Sequence, residues 1–210
     1  MPLTVKAFNP PVVASNSYII KDAVSGEAAV IDAGIYNARF EEILKSMKIE
    51  KLKYILLTHG HFDHIMGVKR LQKNFGGEIV IHEADADCLS DSKRSLASAL
   101  SFACPPFECD KAVKDGDVLL LGDEELEVIH TPGHTVGSVT YKAGKYLFTG
   151  DTLFHVSVGR TDFPGGSTED ILSSIKKLYS LEGDYRVCPG HGGESTLSFE
   201  KNNNPYTRGL

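Results

Sequence analysis

Thr58-His59-Gly60-His61-Phe62-Asp63-His64, THGHFDH, follows directly on the apolar run Tyr54-Ile55-Leu56-Leu57. The run reads as a buried strand. A strand that ends here and turns into a helix splays three imidazoles and one carboxylate around a small volume. Neutral imidazole and carboxylate suit zinc, iron or manganese, so the stretch is a candidate metal site. Four ligand-type residues exceed what one structural site needs. His59 and His61 could take one metal, and Asp63 and His64 a second. The chain has 8 histidines in 210 residues, so three in one heptapeptide are poorly explained as a polar loop.

Working outward, Leu3 to Phe8, Ser17 to Lys21 and Ala28 to Asp32 read as strands, with Asn9-Pro10-Pro11 as a loop. Asp32 is either near the site or an ordinary turn carboxylate at a strand end. Tyr36 to Met47 has helical spacing, and so does Asp63 to Phe75 through Ile65, Val68, Leu71 and Phe75. Asp63 falls near that second helix's N-terminus, where a carboxylate is favoured in any case. Glu78 to His82 reads as a strand, with His82 structural or solvated. Residues 83 to 104 read as mostly helical, ended by Cys104-Pro105-Pro106. Val118 to Leu121, Leu126 to His130, Val139 to Lys142 and Lys145 to Thr149 are short strands, the last two joined at Ala143-Gly144 as a hairpin. Ser167-Thr168-Glu169-Asp170 starts a helix, Tyr185 to Cys188 is a last strand, and the Asn-rich, polar tail from Lys201 is expected to be loose at its end.

With 41% hydrophobic and 24% charged residues, the chain reads as one globular domain over residues 1–210. A net charge of −6 and the lack of a basic block argue against nucleic acid as a partner. No apolar stretch is long enough for a membrane span, and MPLTVKAF does not open like a signal peptide. Cys88, Cys104, Cys109 and Cys188 form no CxxC pair and read as reduced thiols of a cytoplasmic protein. The expected class is α+β, a strand-rich sandwich with helices on its outer faces.

Three more ligand-type residues stand just past apolar runs: His134 after Val128 to Gly133, Asp151 after Tyr146 to Gly150, and His191 after Val187 to Gly190. Ligands at several strand ends point to one rim of a sheet scaffold. Each is weak alone; together the pieces are specific.

THGHFDH, then HTPGHT at 130–135, TGD at 149–151 and PGHG at 189–192 together resemble the metallo-β-lactamase superfamily over nearly the whole chain. The resemblance implies the four-layer αβ/βα sandwich with metals at one edge. It implies that His59, His61 and His134 hold one metal, that Asp63, His64 and His191 hold a second, and that Asp151 bridges them. The expected cofactors are two divalent metal ions, zinc first, with iron or manganese as the other candidates. Two metals ~4 Å apart can share a hydroxide as nucleophile, with Asp63 and Asp151 as the carboxylates of the catalytic centre. A thiolate leaving group, pKa about 8.5, needs little protonation, which makes a thioester a natural substrate.

Within the superfamily, His64 and Asp151 resemble the glyoxalase II-like branch rather than the best-known β-lactamases, which lack that histidine and have Cys at the position of Asp151. Gly159 to Gly166, GRTDFPGG, resembles the small glyoxalase II-like hydrolases, which implies a thioesterase acting on substrates such as S-lactoylglutathione. Persulfide dioxygenases have a similar segment, usually with Gln at the position of Pro164, and hold one iron with equivalents of His59, His134 and Asp151. Full-length glyoxalase II adds a C-terminal helical domain that has no counterpart expected here. Arg160 matches a basic position that contacts glutathione; it either pairs with a substrate carboxylate or is structural, paired with Asp162, which stands where that family has Tyr. His155 either lines the pocket or is a solvated loop residue, and His130 is a supporting or structural histidine rather than a ligand. Cys188 is expected to be a buried strand thiol. The alternatives to a hydrolase are the iron dioxygenase and a non-catalytic metal-binding domain.

Overall fold

The computed structural model describes residues 3–10, 15–99, 101 and 103–210. Its first half begins with β1 (Leu3–Phe8), β2 (Ser17–Asp22) and β3 (Ala28–Ile31), followed by α1 (Ala38–Ser46) and β4 (Tyr54–Leu56). It continues through α2 (Phe62–Ile65), α3 (Val68–Phe75), β5 (Glu78–His82), a 3-10 helix (Glu83–Leu89) and β6 (Lys111–Val113). The second half holds β7 (Val118–Leu121), β8 (Glu124–His130), β9 (Val139–Ala143) and β10 (Tyr146–Gly150). The hairpin β11 (Leu153–Phe154) and β12 (Ser157–Val158) comes next, then α4 (Thr168–Tyr179), β13 (Arg186–Pro189), β14 (Ser195–Thr196) and α5 (Leu197–Asn203).

One six-stranded sheet runs β1-β2-β3-β4-β5-β6, and the other β14-β13-β10-β9-β8-β7. In the first, β1 to β3 are antiparallel and β3 to β6 parallel. In the second, only β10 and β13 pair in parallel. The alternation of each strand sorts its side chains into two layers. Tyr18, Ile20, Ile31, Leu56 and Val80 meet Leu126, Val128, Tyr141 and Phe148 in a core between the sheets. Ile19, Val30, Ile55 and Ile79 face the other way, onto Phe40 and Leu44 of α1 and Leu71 of α3. Ile129, Leu147 and Val187 pack under Ile171, Ile175 and Leu178 of α4. The result is the four-layer sandwich expected from the sequence.

Two segments differ from the sequence reading. The helix expected from Asp63 to Phe75 is two helices, broken at Met66-Gly67. Gly67 lies so close to the strand end at Ala33 that a Cβ would stand 2.7 Å from the Ala33 carbonyl oxygen; close contact with the neighbouring chain takes precedence over helix continuity. Residues 83–104 are not mostly helical: after the 3-10 helix the described part is turns, and Leu100 and Phe102 lie outside the described residues. Short polar side chains capture the backbone there, Asp91 Oδ1 accepting from Lys93 N at 2.8 Å and Ser98 Oγ donating to Ser92 O at 3.0 Å. The tail is exposed at its end, over Arg208, Gly209 and Leu210. It forms α5, capped by Thr196, and carries buried Asn204 and Thr207 onto the body. Pro11 of the expected Asn9–Pro11 loop lies outside the described residues. Among the described residues no helix is long and apolar enough to cross a membrane.

Candidate metal centre

The strand ends named in the sequence converge on one rim. β4 ends into the loop of His59 and His61, and α2 carries Asp63 and His64. The β8–β9 loop supplies His134, the end of β10 supplies Asp151, and the end of β13 supplies His191. The seven side chains fall into three overlapping groups whose ligand-type atoms lie within 4.8 Å of one another: His59, His61 and His134; His59, His64 and Asp151; Asp63, His64 and His191. His59 Nε2 is 3.1 Å from His61 Nδ1, which is 2.9 Å from His134 Nε2. Asp151 faces both outer groups: Oδ2 is 3.5 Å from His134 Nε2 and 3.5 Å from His191 Nε2, and Oδ1 is 3.3 Å from His64 Nε2.

These residues fit divalent metal ions. His64 Nε2 and Asp151 Oδ1 are buried without a hydrogen-bond partner, a costly arrangement for a protein interior unless something else is bound there. Burial, then the neighbouring imidazoles, lower the pKa of His59 and take that of His61 to about 3, so both present lone pairs. Burial opposes charge on Asp151, but His64, His134 and His191 outweigh it and hold its pKa below the ordinary value. Burial also opposes charge on His64, and is outweighed by Asp32, Asp151 and Asp63.

The support beneath these side chains sets their orientation. Asp32, buried at the end of β3, accepts from Thr58 N and Thr58 Oγ1, each at 2.8 Å, and from His64 Nδ1 at 2.8 Å. Asp32 therefore holds a proton on His64 Nδ1 and turns Nε2 to the centre. His134 Nδ1 donates to the Arg160 carbonyl at 2.7 Å, which leaves Nε2 free. Asp85 ties the two halves together. Its Oδ2 accepts from Gly60 N at 3.0 Å and Thr135 Oγ1 at 2.7 Å, and its Oδ1 from Gly137 N at 2.9 Å. Asp32, which the sequence leaves open between the site and an ordinary turn, lies beneath the site; Asp85 has no local motif by which the sequence could mark it.

A cavity of about 500 Å³ opens onto the centre, bounded by Asp63, Asp151, His191 and Arg160 and by the apolar walls Phe154 and Phe163. Arg160 is there, its guanidinium held by both oxygens of Asp162 at 2.7 Å and lying 4.1 Å above the Phe163 ring. Asp162, hydrogen-bonded by Arg160, is taken down to about 2. His155 is not at the cavity. It points away, stacked on Phe199 with its Nδ1 3.5 Å from Glu200 Oε1, because neighbouring residues of a hairpin face opposite sides and Phe154 takes the cavity side. His130 stacks on His82 at 4.2 Å, away from the centre. Cys188 is buried, and burial raises its pKa.

Gly190 marks how tightly the rim is packed. A Cβ there would stand 2.2 Å from Asp151 Oδ1 and 2.7 Å from His64 Cε1. Gly190→Ala is expected to fold yet bind metal about 10- to 100-fold more weakly, the range seen when supporting groups of metal ligands are disturbed. Chelator competition measures this; unchanged affinity would show that the rim yields without moving its ligands.

A two-sheet sandwich with a histidine and aspartate cluster at the strand ends defines a class of metal-site proteins. The sequence profile described as "Metallo-beta-lactamase superfamily" matches residues 10–191, and the chain belongs to that superfamily. The hydroxyacylglutathione hydrolase GloC of Haemophilus influenzae is 36% identical over 186 residues, covering 85% of this chain and 86% of its own length. The structure is similar to that of the BLEG-1 B3 metallo-beta-lactamase (TM-score 0.87, 32% identity, 98% of this chain and 100% of that one). It is also similar to TTHA1623 in a di-iron-bound form (TM-score 0.82, 31% identity, 97% and 99%) and to ETHE1 from Myxococcus xanthus (TM-score 0.77, 26% identity, 96% and 83%).

Proposed function

We propose that the protein is a binuclear metal-dependent hydrolase of thioesters, of which S-lactoylglutathione is the first to test. The observation that carries this reading is the composition of the cavity wall. Among the described residues bounding it, every titratable side chain except Arg160 belongs to the seven-residue cluster. No carboxylic acid or imidazole is left over to protonate a poor leaving group. A thiolate, pKa about 8.5, leaves without that help, whereas an alkoxide or amine does not.

Asp63, His64 and His191 would hold one ion, His59, His61 and His134 the other, with Asp151 between them. When bound, the ions acidify water and polarise the carbonyl under attack. The chain's own part is orientation. Asp32 fixes His64, the Arg160 carbonyl fixes His134, and Asp63 meets His191 Nε2 at 3.1 Å. Phe154 and Phe163 exclude water around the reacting group, and the Arg160 guanidinium, its Nε and Nη2 taken by Asp162, offers its Nη1 side to an acid on the thiol carrier. The relative from Haemophilus influenzae, named for hydrolysis of hydroxyacylglutathione, supports the same substrate class.

Metal content of the purified protein, measured with S-lactoylglutathione hydrolysis, tests the reading. Two metals per chain and turnover are expected. One iron, no thioester turnover and oxygen uptake with glutathione persulfide would replace it with the dioxygenase. Bound metal with neither activity would leave a metal-binding domain. Zinc is the expected metal and a reducing cytoplasm the expected setting. Arg160→Ala is expected to raise KM for S-lactoylglutathione about three- to fivefold relative to a neutral thioester, the scale of an exposed ion pair. An equal rise for both substrates would make Arg160 structural.

A further inference from the structure

The β11–β12 hairpin follows Asp151 by two residues, and its Phe154 and Val158 line the cavity. Phe154 also meets His191 edge-on, ring centroids 6.0 Å apart. The turn between the two strands is strained. Val156 has φ +50°, the left-handed region, where a β-branched side chain is at its least comfortable. Such a turn persists only if its surroundings hold it.

The hold comes from the last helix. Val156 N donates to Glu200 Oε2 at 2.9 Å. Asn204 Nδ2 donates to the same oxygen at 2.9 Å and to the Ser157 carbonyl at 3.0 Å. Glu200 and Asn204 are 0% and 1% exposed. The other oxygen, Glu200 Oε1, has no hydrogen-bond partner among the described residues and faces only His155 Nδ1 at 3.5 Å. A buried carboxylate with one oxygen unused is a poor source of stability. Its placement makes sense as a device that fixes one backbone N–H.

We propose that Glu200 is a positioning residue for substrate binding: through Val156 it sets the hairpin so that Phe154 and Val158 form one wall of the cavity. The C-terminal helix thereby takes part in recognition without touching substrate. The inference rests on the hydrolase reading only through its assay.

Glu200→Ala is expected to raise KM for S-lactoylglutathione about tenfold, the equivalent of one well-packed aromatic contact, with kcat within about threefold and metal content unchanged. Amide exchange across residues 153–158 should quicken in the same variant. Glu200→Gln should restore both, because its single carbonyl oxygen can accept from Val156 and Asn204 as Oε2 does. Val156→Gly in the Glu200→Ala background should recover most of the lost KM, since glycine adopts φ +50° without support. If Glu200→Ala does not fold, Asn204→Ala, which removes the Ser157 bond, should show a smaller shift of the same kind. Faster exchange with unchanged KM would overturn the proposal, as would joint loss of metal, kcat and KM. Wild-type protein without thioesterase activity would defeat the hydrolase reading alone. Unchanged exchange in Glu200→Ala would defeat the clamp whatever the substrate.

Discussion

Asp151→Ala is expected to lose bound metal and on the order of ten-thousand-fold in turnover. Of the cluster's two carboxylates, Asp151 is the one whose oxygens address both outer groups, Oδ1 toward His64 and Oδ2 toward His134 and His191. Removing it leaves His64 Nε2 buried beside an apolar methyl, and leaves the cluster with one fewer negative charge to balance the two dications proposed there. The electrostatic contribution of a metal to a hydrolytic transition state is several kcal/mol, and each 1.36 kcal/mol is about tenfold in rate. Asp151→Asn separates charge from shape: it keeps one acceptor oxygen and should bind metal more weakly than wild type but better than Ala. Elemental analysis after dialysis, with steady-state kinetics at saturating substrate, checks both. An Asp151→Ala protein with wild-type metal stoichiometry and rate would remove the bridging assignment and with it the two-metal reading.

The parts legible in the sequence share one property: their meaning is local. His59, His61, Asp63 and His64 lie within six residues, and His134, Asp151 and His191 each follow an apolar run that ends in glycine. The strands β1 to β5 and β7 to β10 announce themselves by alternation or by short apolar blocks between turn residues. The illegible parts depend on distant partners. β6 is three residues long and exists because β5 offers it an edge. The 83–104 segment has helical composition, but the turn begun at Asp91 stops at Leu96, whose φ is +64°, and Ser98 Oγ takes the Ser92 carbonyl, a spacing no helix offers. His155 stands four residues from Asp151 and looked close to the site; the hairpin turn points it at α5 instead. Glu200 and Asn204 sit in a polar tail whose sequence gives no sign that a strained turn rests on it.

Asp85→Asn is expected to lower stability by about 2–4 kcal/mol and to weaken metal binding about 10- to 100-fold. Asp85 is 1% exposed, and its three partners are donors from both halves of the fold, 25, 50 and 52 residues away in sequence. Gly60 N lies between His59 and His61; Thr135 follows His134. One carboxylate therefore fixes the spacing between the histidine loop of the first sheet and that of the second. Asparagine presents an NH2 where Asp85 has an acceptor. With Oδ1 replaced, the Gly137 N–H faces a donor; with Oδ2 replaced, the Gly60 N–H does. Rotating the amide only chooses which. A buried unmet donor costs about 1–3 kcal/mol, and the hydrogen bonds lost are of the charged, stronger kind. Thermal unfolding with and without chelator, together with metal competition, reads the two effects separately. If stability falls while metal affinity holds, Asp85 fastens the sheets but does not space the ligands. If affinity falls with it, three ligands contributed by two separate sheets depend on one side chain that touches none of them.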